Sequence, residues 1–259
     1  MKHSFIDEYS KLNSPIHRLD PRVKLLSALA FVLAVVLTPP GGWQAFAAYL
    51  VLVTAAVILS RVPPWFVLKR SLMLEPFVLV VAAFIPFFKP GEVAGSYNIW
   101  MWQVSVTYPG ITLFWSVLAK AWLAIICLTL LTATTPFSHL LLAMEKLKVP
   151  RVLVMTLSFM YRYIFILEEE VLRMRQARDS RNFGGKLLWQ VRVVGHMAGT
   201  LFIRAYERGE RVYAAMVSRG FDGEVRTLQQ LTLRRTDAIS AAAFLALLAS
   251  IAVLSLRLG

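Results

Sequence analysis

The 259-residue chain is 58% hydrophobic and only 17% charged, whereas soluble domains sit near half apolar and a quarter charged. The apolar excess falls into runs, which marks an integral membrane protein and excludes an ordinary soluble globule. The net charge of +13 is accounted for by Lys and Arg gathered on one side of a membrane, so no nucleic-acid partner is expected, and the single Cys127 rules out an intrachain disulfide.

Taken in chain order, residues 1–22 are polar and contain Asp7, Glu8 and Asp20. That is no signal peptide, so the first apolar segment is read as a true span. Four apolar segments follow within 23–133: Val23 to Thr38, Trp43 to Ser60, Leu72 to Phe88 and Ile111 to Ala133. A fifth runs from about Ala238 to Leu256, within 237–259. Most approach the roughly 20 residues that cross a bilayer.

The flanks set the orientation. Arg18, Arg22 and Lys24 precede the first segment, and Arg61, Lys69 and Arg70 lie between the second and third. The loops on the opposite side are nearly uncharged: 39–42 has no charge, and 89–109 has only Lys89 and Glu92. The positive-inside rule then puts the N-terminus and the block 134–236 in the cytoplasm of a multi-pass protein of the cell membrane.

That block holds most of the arginines and reads as three helices. The first opens at Thr134-Thr135-Pro136, with Thr135 as N-cap and Pro136 at the first helical position, and Pro150 closes it. Its apolar stripe is Phe137, Leu140, Leu141, Met144 and Leu147. The second runs from about Val152 to Arg181 and stops at Asn182-Phe183-Gly184-Gly185; the third runs from about Leu187 to Arg219 and stops at Gly220. The apolar stretch Val152 to Leu167 contains Arg162 and ends in three glutamates, so it is read as a buried or interfacial helix, or one that enters the membrane partway, rather than a sixth span.

Both long helices carry arginine close to their C-termini: Arg173, Arg175, Arg178 and Arg181 on the second, Arg219 on the third. Part of this is ordinary helix chemistry. Arginine complements the negative end of the helix dipole, Gly220 suits a left-handed C′ position with Phe221 packing back, and pairs such as Glu169 with Arg173 give solvated support. The other reading is that each helix end offers a fixed guanidinium to an acidic partner site, flanked by Ala177, Ala214, Ala215 and Met216 that let the helix lie in a groove. Within the spans, Glu75 and Lys120 are intramembrane charges, suited either to a bridging salt contact or to an interface with a partner subunit.

Other chemistries find no footing. There is no GxxxxGK[ST] loop for ATP, no HExxH or GxSxG, and no pair of carboxylates on a span. His3, His17, His139 and His196 lack metal-ligand spacing.

Several stretches together resemble the transmembrane T component of energy-coupling factor importers, of the CbiQ type. They are Ser14-Pro15-Ile16-His17-Arg18-Leu19-Asp20-Pro21-Arg22-Val23-Lys24, Thr134-Thr135-Pro136-Phe137, Phe159-Met160-Tyr161-Arg162-Tyr163, Tyr206-Glu207-Arg208-Gly209-Glu210-Arg211 and Ser218-Arg219-Gly220-Phe221. The resemblance implies an all-α membrane protein of about five transmembrane helices, with a cytoplasmic helical coupling domain built on two long crossed helices. It implies a non-enzymatic subunit that joins two ATP-binding ATPases to a substrate-binding membrane subunit, CbiM-like, with or without a small accessory membrane subunit. ATP and the transported metal would then be bound by those partners, with no cofactor in this chain. Cobalt is the implied cargo, with nickel or a vitamin as the alternative; a membrane scaffold or enzyme without ATPase partners is the competing class. The family's two Ala-Arg-Gly-like signatures would fall on Ser218-Arg219-Gly220 and on Ala177-Arg178-Asp179. The aspartate in the second leaves Arg178 and the nearby Arg181 as alternative contacts, with Arg178 favoured by the preceding Ala177.

Overall fold

The computed structural model describes residues 12–90, 92–99, 102–181, 187–223 and 234–258. The turn at Asn182 to Gly185, the residues before 12, with His3, Asp7 and Glu8, and the block's last stretch at 224–233 lie outside the described residues. The chain is an all-α membrane protein with one small β-hairpin, and it divides into two compact units at about Met144 and Leu231.

The first unit contains α1 (Pro21–Leu37), α2 (Trp43–Ser60), α3 (Pro64–Ala82), the single turn α4 (Ile85–Phe88), the antiparallel hairpin β1 (Val93–Ile99) and β2 (Trp102–Thr107), and α5 (Tyr108–Thr134). Most of α6 (Phe137–Lys146) and all of α9 (Arg235–Leu258) also belong to it. The division thus falls inside α6, ten residues after the start of the block 134–236.

Four helical stretches among the described residues are long and apolar enough to cross a membrane: Trp43–Ser60, Pro64–Phe88, Tyr108–Thr134 and Arg235–Ser255. The remaining expected span, α1, has 17 residues, about 25 Å at 1.5 Å per residue, which is the lower end of the spanning range. Asp20 starts α1 by accepting the Arg22 N–H at 2.8 Å, and Pro21 supplies the preset first helical turn. The third span begins eight residues earlier than the apolar run at Leu72, because Pro64 can open a helix and the Lys69-Arg70 pair does not interrupt it.

The central helix of this unit is α5, which packs on α1, α2, α3 and α4, while α9 packs on α1 and α2. The core gathers Phe31 and Val35 of α1, Tyr49 and Val53 of α2, Leu123, Ile126 and Leu130 of α5, and Leu248 of α9. Phe31 meets Tyr49 edge to face at 5.7 Å. Outward-facing side chains are large and apolar, with Met73, Phe77 and Phe88 about four-fifths exposed, as lipid contact requires. At the corner between α4, the hairpin and α5, Thr107 Oγ1 donates to the Lys89 carbonyl at 3.0 Å. Gly110 there lies so close to the Pro86 backbone that a Cβ would stand 2.7 Å from its Cα.

The second unit contains α7 (Arg151–Asp179, 29 residues) and α8 (Leu187–Val217, 31 residues). The stretch Val152 to Leu167 is continuous with the rest of α7 rather than a separate segment. The two helices are in contact with each other.

Two local expectations are corrected. The Thr135 hydroxyl is buried without a hydrogen-bond partner among the described residues, so it does not cap α6. The α6 start is instead held by the Pro136 carbonyl, which accepts from the His139 and Leu140 N–H groups. The Arg173 partner is Glu170, three residues back, rather than Glu169.

Candidate functional site

The end of α8 is built by the backbone. Gly220 adopts φ +76°, in the left-handed region where a Cβ is penalised. The Phe221 N–H bonds to the Met216 carbonyl at 3.1 Å and the Gly220 N–H to the Val217 carbonyl at 3.0 Å. This six-to-one and five-to-two pair is a Schellman cap, and it places Arg219 at the last position before the chain turns. Ser218 ties its hydroxyl back to the Ala215 carbonyl at 3.1 Å. Arg219 is exposed and has no ion pair among the described residues, and Phe221 is half-buried.

The end of α7 is built differently. Ser180 stays right-handed, with its N–H bonded to the Gln176 carbonyl at 3.0 Å and its hydroxyl to the Ala177 carbonyl at 3.0 Å. The Arg178 guanidinium points at its own neighbour, donating Nε at 2.9 Å and Nη2 at 2.8 Å to Asp179 Oδ1. Arg175 Nε stands 3.9 Å from the other Asp179 oxygen. Asp179 therefore engages the Arg178 guanidinium, and Arg178 is half-buried while Arg181 is exposed. The sequence treats the two arginine-tipped ends as matched, but among the described residues only the α8 end has the left-handed turn.

The helices are pinned to each other at Glu170. Its carboxylate accepts from Arg173 Nη2 at 2.9 Å and, across to α8, from Arg204 Nη1. Those hydrogen bonds, first from Arg173 and then from Arg204, hold its carboxyl below the ordinary value. The rest of α8 is unusually apolar for a surface helix: Leu188, Val191, Phe202, Tyr206 and Tyr213 are all exposed, a face of the kind that marks an interaction surface.

Of the two intramembrane charges, Lys120 makes no salt contact among the described residues; its Nζ donates to the Val36 carbonyl at 2.9 Å. Glu75 lies on the α3 face that carries Ser71, whose hydroxyl accepts from Trp122 of α5. One Glu75 carboxyl oxygen is sealed off with no partner among the described residues. No group of three His, Cys, Asp or Glu side chains among the described residues converges as a metal ion requires.

Two features were missed by sequence reasoning. Lys24 reads as a flanking charge but is buried, and the pairing of Glu170 with Arg204, 34 residues away, has no local signal.

Residues 12–231 match the family described as cobalt transport protein, CbiQ. An energy-coupling factor transporter transmembrane protein EcfT of Limosilactobacillus fermentum is 30% identical over 89% of this chain and 90% of its own length. A protein of the same name from Listeria innocua is 29% identical over 86% of each chain. A putative fused cobalt transport protein CbiMQ of Methanocorpusculum labreanum is 28% identical over 85% of this chain and 38% of its own length.

Proposed function

The chain belongs to the CbiQ family and is a transmembrane T component of the energy-coupling factor type, and from that premise we propose how it works and what it carries. The ends of α7 and α8 seat in grooves of two cytoplasmic ATPase subunits. Closure of those subunits on ATP displaces the helix ends, and the rods pass the displacement to the spans and to a substrate-binding membrane subunit. ATP is held by the ATPases and the transported ion by the membrane partner. The cargo is cobalt ion, supported by the family's description and by the fused relative's name. The N-terminus and the coupling helices face the cytoplasm, as the charge bias of the flanks supports.

The observation that carries this reading is the α8 terminus. A guanidinium held at a capped, left-handed turn, exposed and without an ion pair among the described residues, is an unspent donor fork for a carboxylate. The α7 terminus contributes in a second way. Arg178 must leave Asp179 to reach a partner carboxylate, so its share of the contact is smaller, and Arg181 lies close enough in sequence to supplement it. The exposed apolar face of α8 gives the membrane subunit a surface to rest on.

The test is the complex itself, co-expressed with its ATPases and membrane partner. Arg219→Ala weakens ATPase co-purification and abolishes cobalt uptake, Arg178→Ala does so to a lesser extent, and both proteins still insert. Loss of one member of such a charge pair costs about 2–5 kcal/mol of binding. Normal co-purification and uptake in the double variant would remove this assignment. Equal uptake of nickel and cobalt by the wild-type complex would remove the cargo assignment alone.

A further inference from the structure

Lys24 is a lysine at 8% exposure, whereas the flanking Arg61, Lys69 and Arg70 are exposed. Such a group is kept inside only with its charge and protons satisfied. Its Nζ donates at 3.1 Å to the His17 carbonyl and at 3.1 Å to the Thr134 carbonyl. Thr134 is the last residue of α5, so that carbonyl is one of those a helix end leaves without a partner. Asp20 and Asp237, at 5% and 4% exposure, are buried carboxylates near enough for the ammonium to feel their charge, and neither forms an ion pair with it. Asp20 starts α1, and Asp237 accepts from the Arg234 N–H at 3.1 Å where α9 begins.

The chain's path gives this cluster its meaning. Thr134 ends α5 just before α6, within which the chain leaves the membrane unit, and Asp237 lies in the first turn of α9, after the coupling helices. One ammonium, held by α1, thus bonds to the end of the last helix before the coupling helices and lies near the start of the first helix after them. The packing of these helices has other support, from Phe31, Val35, Leu130 and Leu248. Replacing a buried ion pair by apolar groups is often neutral for stability, so a buried lysine here has more to do with fixed geometry than with cohesion.

We propose that Lys24 is a positioning residue of energy transmission. It fixes the α5 departure and the α9 return against α1, so that displacement of the coupling helices reaches the spans instead of being absorbed in the connecting segments. The inference rests on the coupling role proposed above.

The experiment uses the full co-expressed complex and two variants. Lys24→Met keeps the length and removes the ammonium. Lys24→Met with Asp237→Asn also removes a carboxylate that would be left unbalanced, while an amide oxygen can still accept from Arg234. ATPase stoichiometry, ATP hydrolysis and cobalt uptake are measured together. The expected result is wild-type stoichiometry and hydrolysis in at least the double variant, with uptake per ATP hydrolysed reduced about tenfold, within the range of site-to-site coupling. An unchanged ratio overturns the proposal. Loss of ATPases from both variants also overturns it, because Lys24 would then serve assembly alone. A wild-type chain that recruits no ATPase defeats the parent reading instead, and that is seen before any variant is compared.

Discussion

At the scale of single residues, Gly220 and Glu170 hold the geometry on which the proposed coupling depends, for different reasons. Nothing lies within 4 Å of where a Gly220 Cβ would stand, so the position asks for glycine only through its φ of +76°. Gly220→Ala therefore costs about 1–2 kcal/mol of left-handed strain without a clash. The Schellman bonds at Phe221 should exchange their amide protons faster, and ATPase capture should fall about fivefold or more, as 1 kcal/mol implies. Unaltered exchange at Phe221 would show that the turn does not depend on the glycine. Glu170 works through charge. Its carboxyl is held below the ordinary 4.5 by Arg173 and Arg204, so its contribution is complete above that value and is lost as pH falls through the lowered one. Spin labels on α7 and α8 should therefore separate only as pH falls below the ordinary carboxylate value. In Glu170→Gln the distance should not change across that pH window, and a transition identical to wild type would assign the pH response to another group.

At the scale of elements, the corner joining α4, the hairpin and α5 depends on a close approach. An alanine Cβ at Gly110 would meet the Pro86 Cα at 2.7 Å and its carbonyl oxygen at 3.0 Å, and backbone cannot swing aside as a flexible side chain can. Gly110→Ala should lower stability by about 1–3 kcal/mol, read as a lower melting temperature in detergent, with ATPase capture intact. How legible these elements were follows from where their signals lie. Helices α7 and α8 are readable to within two residues because proline, glycine and arginine punctuate a 3.6-residue pattern. The hairpin was passed over as an uncharged loop, yet Trp102, Val104 and Val106 alternate with Gln103, Ser105 and Thr107, the period of a strand. The aspartate of the Ala177-Arg178-Asp179 signature is legible in sequence, but its pairing with the Arg178 guanidinium and the left-handed turn that holds Arg219 are seen only in the structure. The burial of Lys24 was not legible, because its carbonyl partner at Thr134 is 110 residues away.

At the scale of the whole molecule, function depends on which ends of the spans face the ATPases. The hairpin connects spans on the side with almost no charge, since the stretch 89–109 holds only Lys89 and Glu92. The coupling helices follow α5 in the chain, and on the proposed topology they share their side with Arg61, Lys69 and Arg70. With α1 counted as a span, the five crossings leave the chain's two termini on opposite faces. Cys127 is partly buried in α5, and Cys127→Ala provides a cysteine-free background for mapping this arrangement. In that background Ser96→Cys should react with a membrane-impermeant maleimide on intact cells, and Glu210→Cys, on exposed α8, only after the membrane is opened. The reverse pattern would turn Arg178 and Arg219 away from the nucleotide-binding subunits. No affinity of their guanidinium groups for carboxylates would then matter, because the coupling role needs the arginines and the ATPases on one face of the bilayer.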